Sequence, residues 1–248
     1  MSGPVKVALV TGASEGIGRA IAETLRDEGW RVLAAQRREA EGFESIAADL
    51  SKPDAAERTI AEAVRRAGAL DLLVNNAGFM REGTAEETTI EAFERMVRVN
   101  LVAPFALIKH AMPHLAARGG TIVNVGSIEG LAANPRHPAY AASKAGLHGL
   151  TRAVAVDAGE RGVRCNAVAP GWIDTALSRD YAASMPDPEA FAARLAAIHP
   201  IGRTGTPEDV AAAVAWLAGG GSAFVTGQVI VVDGGRLARP SLPWGGAS

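Results

Sequence analysis

The sequence predicts a doubly wound α/β fold: a seven-stranded parallel sheet with helices on both faces. Two observations carry this. Short apolar runs without clean polar alternation recur along the chain, as strands covered on both faces require. Amphipathic stretches separate those runs, and strand–helix alternation closes into right-handed crossovers. A chain of 248 residues is long enough to bury its own core as one unit. No linker, repeat or low-complexity segment divides 1–248, so one dinucleotide-binding and catalytic domain is expected.

The first strand is "KVALVTG" (6–12). Gly12, Gly16 and Gly18 follow it directly and open a helix over 18–28, with Ser14, Glu15 and Ile17 between them. Bare backbone at a helix start presents unpaired N–H groups to an anion, and a pyrophosphate fits there. The spacing is not G-x-G-x-x-G, so the glycines alone are equally those of a tight turn. Glu15 is favourable at a helix N-terminus and stands four residues before Arg19, at ion-pair spacing; pairing with Arg37 is the alternative.

The second strand is "WRVLAAQ" (30–36), and a weaker one is "FESIAADL" (43–50). The residues between them are too few for a crossover helix, so an irregular loop is expected. A helix over 53–67 leads to "DLLVNNAG" (71–78), and one long helix is expected over 90–118. "TIVNVGS" (121–127), a helix over 139–160 and "VRCNAVAP" (163–170) follow. The stretch 174–200, with Pro186, Pro188 and a helical "EAFAARLAAI", breaks the rhythm and reads as a substrate lobe or lid. Thr206 then caps a helix with Pro207 at its first position, and "QVIVVDGG" (228–235) is the last strand. A tail over 236–248 carries Leu237, Leu242 and Trp244.

Net charge is −2, with 25 basic and 27 acidic residues spread evenly. That is no footprint for nucleic acid. Cys165 is the single cysteine and sits in an apolar run, which excludes an intrachain disulfide and suits a core residue. The histidines show no metal-ligand spacing, and no metal is expected. With neither a leader pattern nor a membrane-length apolar run, a soluble cytoplasmic protein is expected.

The chemistry lies in "YAASK", which sets Tyr140 and Lys144 at i and i+4 on one helix face. Ser127 stands at the end of the strand before it. A phenol, an ammonium and a hydroxyl then converge. Together with "TGASEGIG", "NNAG" (75–78), Asn100 in "VNL" and "PGWIDT" (170–175), these motifs resemble the classical short-chain dehydrogenase/reductase family over essentially the whole chain.

The resemblance implies a Rossmann-type sheet and an oxidoreductase that interconverts a secondary alcohol and a ketone by hydride transfer. It makes Tyr140 the general acid/base, Lys144 its electrostatic partner and contact to the nicotinamide ribose, Ser127 the donor to the substrate oxygen, and Asn100 the holder of a relay water. A free phenol titrates near 10, and a cation about 4 Å away at an effective dielectric of about 20 contributes roughly 4 kcal/mol toward lowering it. By the same resemblance Asn76, Ala77 and Gly78 pass under the adenine ribose. Asp49 and Leu50 flank the adenine, with a helix N-cap as the other reading of Asp49. Pro170, Gly171, Ile173 and Thr175 line the nicotinamide.

Cofactor choice rests on the end of the second strand. Gln36 is followed by Arg37 and Arg38, with no acid to accept from ribose hydroxyls. Arg37 suits a 2′-phosphate and favours NADP(H); Glu15 leaves NAD(H) open. Ser127, Glu129, Asn134, His137 and Trp172 are the candidates to line a small-molecule substrate pocket. Glu129 there would accept from a polyol, pair with a cation or point to solvent. A 3-oxoacyl-[acyl-carrier-protein] reductase is the narrower alternative, and a catalytically silent nucleotide-binding regulator is the alternative of another class. The family resemblance further implies a homotetramer packed through the long helices 90–118 and 139–160.

Overall fold

The computed structural model describes residues 4–239. Seven strands, β1 (Val7–Thr11), β2 (Arg31–Gln36), β3 (Glu44–Ala47), β4 (Leu72–Asn75), β5 (Thr121–Val125), β6 (Arg164–Pro170) and β7 (Val229–Val232), form one sheet in the order β3-β2-β1-β4-β5-β6-β7. Every pairing is parallel. The order reverses at β1, whose register runs Val7 to Arg31 on one side and Ala8 to Leu72 on the other. Open α/β sheets bind ligands outside the carboxyl ends of the strands at such a switch point.

Eight helices flank the sheet or follow its strands: α1 (Gly16–Asp27), α2 (Ala55–Ala67), α3 (Ile90–Val97), α4 (Ala103–Ala116), α5 (Pro138–Gly159), α6 (Ala176–Ala183), α7 (Pro188–Ala197) and α8 (Pro207–Ala218). The two-residue period of β1 divides the core. Val7 and Leu9 join Ile60, Leu107, Leu115 and Val154 of α2, α4 and α5. Ala8 and Val10 join Ile21, Leu25, Val210 and Val214 of α1 and α8 on the opposite face. Each fully buried Leu or Ile contributes roughly 1.5–3 kcal/mol. Cys165 lies within the core, where burial pushes its thiol up to about 12.

The connection from β2 to β3 is an irregular loop, held where Ser45 Oγ accepts from Ala40 N at 2.9 Å. The expected helix over 90–118 is helical without a break from Ile90 to Ala116, with one irregular turn inside it. A wide π turn at Arg98–Val102 separates α3 from α4, and it turns Asn100 inward to 1% exposure. Such an extra residue in a helix recurs at functional sites. The stretch 174–200 holds α6 as well as the anticipated α7; α6 opens on a capping box between Thr175 and Ser178. Trp172, Tyr181 and Phe191 pack around one another at 5.9–6.0 Å between ring centroids and form a small core of their own.

Arg19 pairs with Glu23 at 2.9 Å, not with Glu15. Beyond β7, Asp233 accepts from Gly235 N and Leu237 N, both at 2.8 Å, and turns the chain back. Leu242 and Trp244 lie outside the described residues.

Candidate active site

The chemistry-bearing residues gather at the carboxyl edge of the sheet. Gly12 and Gly16 adopt left-handed φ of +68° and +55°, which glycine alone takes without strain. A side chain on Gly18 would overlap Gly12 O and Asn76 Nδ2, so the turn packs on itself as well as clearing space. Gln36 braces the turn by accepting from Ala13 N at 3.1 Å. Asn76 donates to Thr11 O and Gly12 O at 2.9 and 3.0 Å, and Thr11 Oγ1 receives Asn76 N and Ala77 N. These bonds stitch the ends of β1, β2 and β4 together. Asn76 thus serves the turn itself, beyond the ribose role expected of it.

Thr89, Thr175, Asp187 and Thr206 each cap a helix through the side chain; Glu15, at the N-cap of α1, makes no such bond, nor do Asp54 and His137 at those of α2 and α5. The first-turn N–H groups of α1 are left for an anion, and they fit a pyrophosphate. Ser14 is half-buried in the turn, Glu15 and Arg37 are exposed, and Ile17 packs on the core beneath. The Thr175 side chain would lie 3.3 Å from a Cβ on Gly16, so the loop after β6 closes over this helix start.

Asp49 is turned to its own loop. Its carboxylate accepts from Ser51 N and Oγ at 3.1 and 2.7 Å, which holds it below the usual carboxylate range. It is not the N-cap of α2; Asp54 occupies that position. Leu50 belongs to the core. Thr175 Oγ1 caps α6 by accepting from Ser178 N, Gly171 N donates to Val232 O, and Ile173 bridges to Gly205.

Ser127, at the turn after β5, and Tyr140 and Lys144 on α5 come together. Ser127 Oγ accepts from Glu129 N at 3.1 Å, and the hydroxyl acts on the Tyr140 phenol to lower it against burial. Lys144 is 5% exposed, so the pair on α5 is not a solvated helix face. Its Nζ donates to Val125 O at 2.8 Å and lies 5.7 Å from the Tyr140 ring centroid. The expected lowering of Tyr140 is reversed. Burial pushes the phenol up to about 12, opposed by Ser127 and reinforced by the Glu129 charge. The ammonium is itself desolvated, down to about 8. Burial disfavours the charged form of both groups.

Asn100 is fully engaged. It accepts from Phe79 N at 3.0 Å and donates to Phe79 O and Ser143 Oγ at 2.9 and 3.1 Å. A side chain on Gly78 would stand 3.1 Å from Asn100 Oδ1 and 3.6 Å from Lys144 Nζ, so bareness there first protects the catalytic groups.

Glu129 points inward. His137 Nδ1 lies 2.8 Å from Glu129 Oε2, and Asn134 Nδ2 donates to Oε1 at 2.9 Å. The His137 ring stands edge-on to Tyr140 at 6.4 Å. Trp172 is farther along the rim, in the aromatic trio. Sequence reasoning did not single out Thr11, Ser143, Glu82, Tyr181, Arg236 or the site role of His148. Among the described residues no three His, Cys, Asp or Glu cluster to hold a metal, and no helix is long and apolar enough to cross a membrane.

Comparison with known proteins agrees with this geometry. A family model described as enoyl-(acyl carrier protein) reductase matches residues 12–236. The chain is 37% identical over 256 residues to 3beta-hydroxysteroid dehydrogenase 1 of Eggerthella lenta, covering 97% of both. It is similar to the ligand-free aldohexose dehydrogenase of Thermoplasma acidophilum, with a TM-score of 0.92, 36% identity and 96% of both chains covered. It is also similar to ElxO with NADP bound, with a TM-score of 0.88 and 30% identity over 95% of this chain and 100% of that one.

Proposed function

This chain belongs to the short-chain dehydrogenase/reductase family, and on that premise we propose that Ser127, Tyr140, Lys144 and Asn100 are the groups with which it interconverts a secondary alcohol and a ketone. It is an oxidoreductase acting on CH–OH groups with a nicotinamide cofactor. The observation that carries the assignment is the convergence of Ser127 and Tyr140 over a buried Lys144.

A bound nicotinamide supplies or accepts the hydride. The rest is the chain's own work. A phenol held near 12 keeps its proton at neutral pH, so Tyr140 stands ready as an acid for carbonyl reduction. The ketone becomes an alkoxide-like oxygen and takes the Tyr140 proton, while Ser127 Oγ hydrogen-bonds that oxygen as its charge develops. Lys144, charged below about 8, stabilises the phenolate left behind. In the oxidative direction the same proton returns to Tyr140. Asn100 keeps the segment after β4 clear of Lys144.

Arg37 supports NADP(H) over NAD(H), its planar donor fork exposed at the end of β2 with no acid at 36–38. The whole chain is read as one catalytic domain with α6 and α7 as its substrate lobe, located in the cytoplasm. Two separate apolar faces support a homotetramer: Val102, Phe105 and Val156 on the α4–α5 side, and Trp216, Phe224 and Val231 beside α8 and β7.

Turnover and cofactor affinity of Tyr140→Phe test the reading together. The variant should lose about 10²–10⁴-fold in kcat, while binding NADPH as the parent does and more tightly than NADH. An active variant overturns the role of Tyr140, and equal affinities overturn the cofactor preference.

A further inference from the structure

Glu129 is an oddity of the site. Its side chain is 11% exposed, two residues beyond Ser127. Two side chains of the stretch before α5 hold it there. His137 and Asn134 bind its oxygens. Arg236, from beyond β7, donates to Asn134 Oδ1 at 2.9 Å and fixes that amide with its Nδ2 toward Glu129. Glu82, after β4, flanks His137 Nε2 at 3.8 Å, and burial, helped by the Glu82 charge, raises the Tyr181 phenol of α6.

A carboxylate has about four acceptor positions. His137 and Asn134 supply two donors, and the carboxylate they hold stands beside the reacting groups, since Glu129 N donates to Ser127 Oγ at 3.1 Å and the His137 ring lies edge-on to Tyr140 at 6.4 Å. An apolar alcohol seated on Ser127 and Tyr140 would cover those lone pairs and give nothing back. A hydroxyl on the neighbouring carbon would donate to them. A carboxylate or phosphate at that carbon would instead meet like charge.

We propose that Glu129 is the specificity-determining residue, and that the substrate is a neutral polyol (or its hydroxyketone) carrying a hydroxyl vicinal to the carbon that reacts. The deduction rests on the oxidoreductase reading above. In the oxidative direction the carbinol C–H leaves as hydride to the oxidised nicotinamide, the O–H proton goes to Tyr140, and a hydroxyketone forms. The vicinal hydroxyl keeps its proton and shares it with Glu129. Sites that hydrogen-bond a substrate hydroxyl reject analogues lacking it by up to about 10⁴–10⁵-fold.

The test compares 1,2-cyclohexanediol with cyclohexanol, and 1,2-propanediol with 2-propanol, each with NADP⁺ and NAD⁺. The parent should favour the diol of each pair by about 100-fold or more in kcat/KM. In Glu129→Ala that ratio should collapse toward one, and Glu129→Gln, which keeps an acceptor, should recover part of it. Asn134→Ala, a milder change, should lower the ratio with the fold intact by thermal melt. A parent ratio near one, or a ratio unmoved in the folded Glu129 and Asn134 variants, overturns the assignment of Glu129. Absence of turnover on both diols with cofactor bound overturns the polyol assignment, and absence across a panel of steroids, sugars and oxoacyl thioesters as well overturns the oxidoreductase reading beneath it.

Discussion

His148 shows how one side chain shapes the site without touching substrate. It lies one turn past Lys144 on α5 and is 1% exposed. A side chain on Gly126 would overlap its Nε2, and one on Gly130 would come within 2.6 Å of Cε1 and 2.7 Å of Nδ1. The turn carrying Ser127 is therefore bracketed by two glycines because an imidazole fills the space between them. Burial, then the positive charges of Lys144 and Arg152, lowers His148 from 6.5 to about 4. The unfolded chain takes up this proton near 6.5 and the folded one only near 4. The group's contribution to stability is thus complete above 6.5 and drains as pH falls toward 4, by roughly 3 kcal/mol in all. Urea titrations at pH 7 and pH 5 should show a smaller loss for His148→Gln than for the parent. Equal losses would remove His148 from the account.

At the scale of elements, the turn from β1 into α1 is the tightest joint. A methyl on Gly18 would press on Gly12 O and Asn76 Nδ2, and overpacking of this kind costs about 1–3 kcal/mol. Gly18→Ala should lower the urea midpoint and weaken NADPH binding together; a variant that melts and binds like the parent would show the joint to be slack. Such joints were legible in sequence, because a glycine turn between an apolar strand and an amphipathic helix is a local pattern. So were six strands, β3 as a weaker seventh, and the spacing of Tyr140 and Lys144. What escaped depends on distant partners. Arg98–Val102 reads as continuing helix, and partners on other segments, Phe79 and Ser143, draw Asn100 inward. Glu15 and Glu23 both stand four residues from Arg19, so spacing alone could not choose between them. α6 lacks an apolar period and was missed. The pKa of Tyr140 was misjudged because its motif shows the neighbouring ammonium but not the burial of both groups.

At the scale of the molecule, the apolar faces beside α5 and α8 lie on different elements, and each calls for its own partner surface. Val156 is 80% exposed in the last turns of α5, on the side of the helix turned away from Val154 and Ala155 in the core. Val156→Asp should split a tetramer into dimers held by the other face, as read by sedimentation; an unchanged assembly would move the interface elsewhere. The sheet order has a second effect, on the sequence of events during synthesis. β1 leaves the ribosome first, yet it pairs with β4, more than sixty residues later, and Thr175 reaches Gly16 only after β6 is in place. A nascent chain that stops before β4 has made the glycine turn but not its Asn76 brace. Competence to grip a nucleotide therefore arrives late in translation, and the growing chain stays blind to its own ligand until most of it has been made.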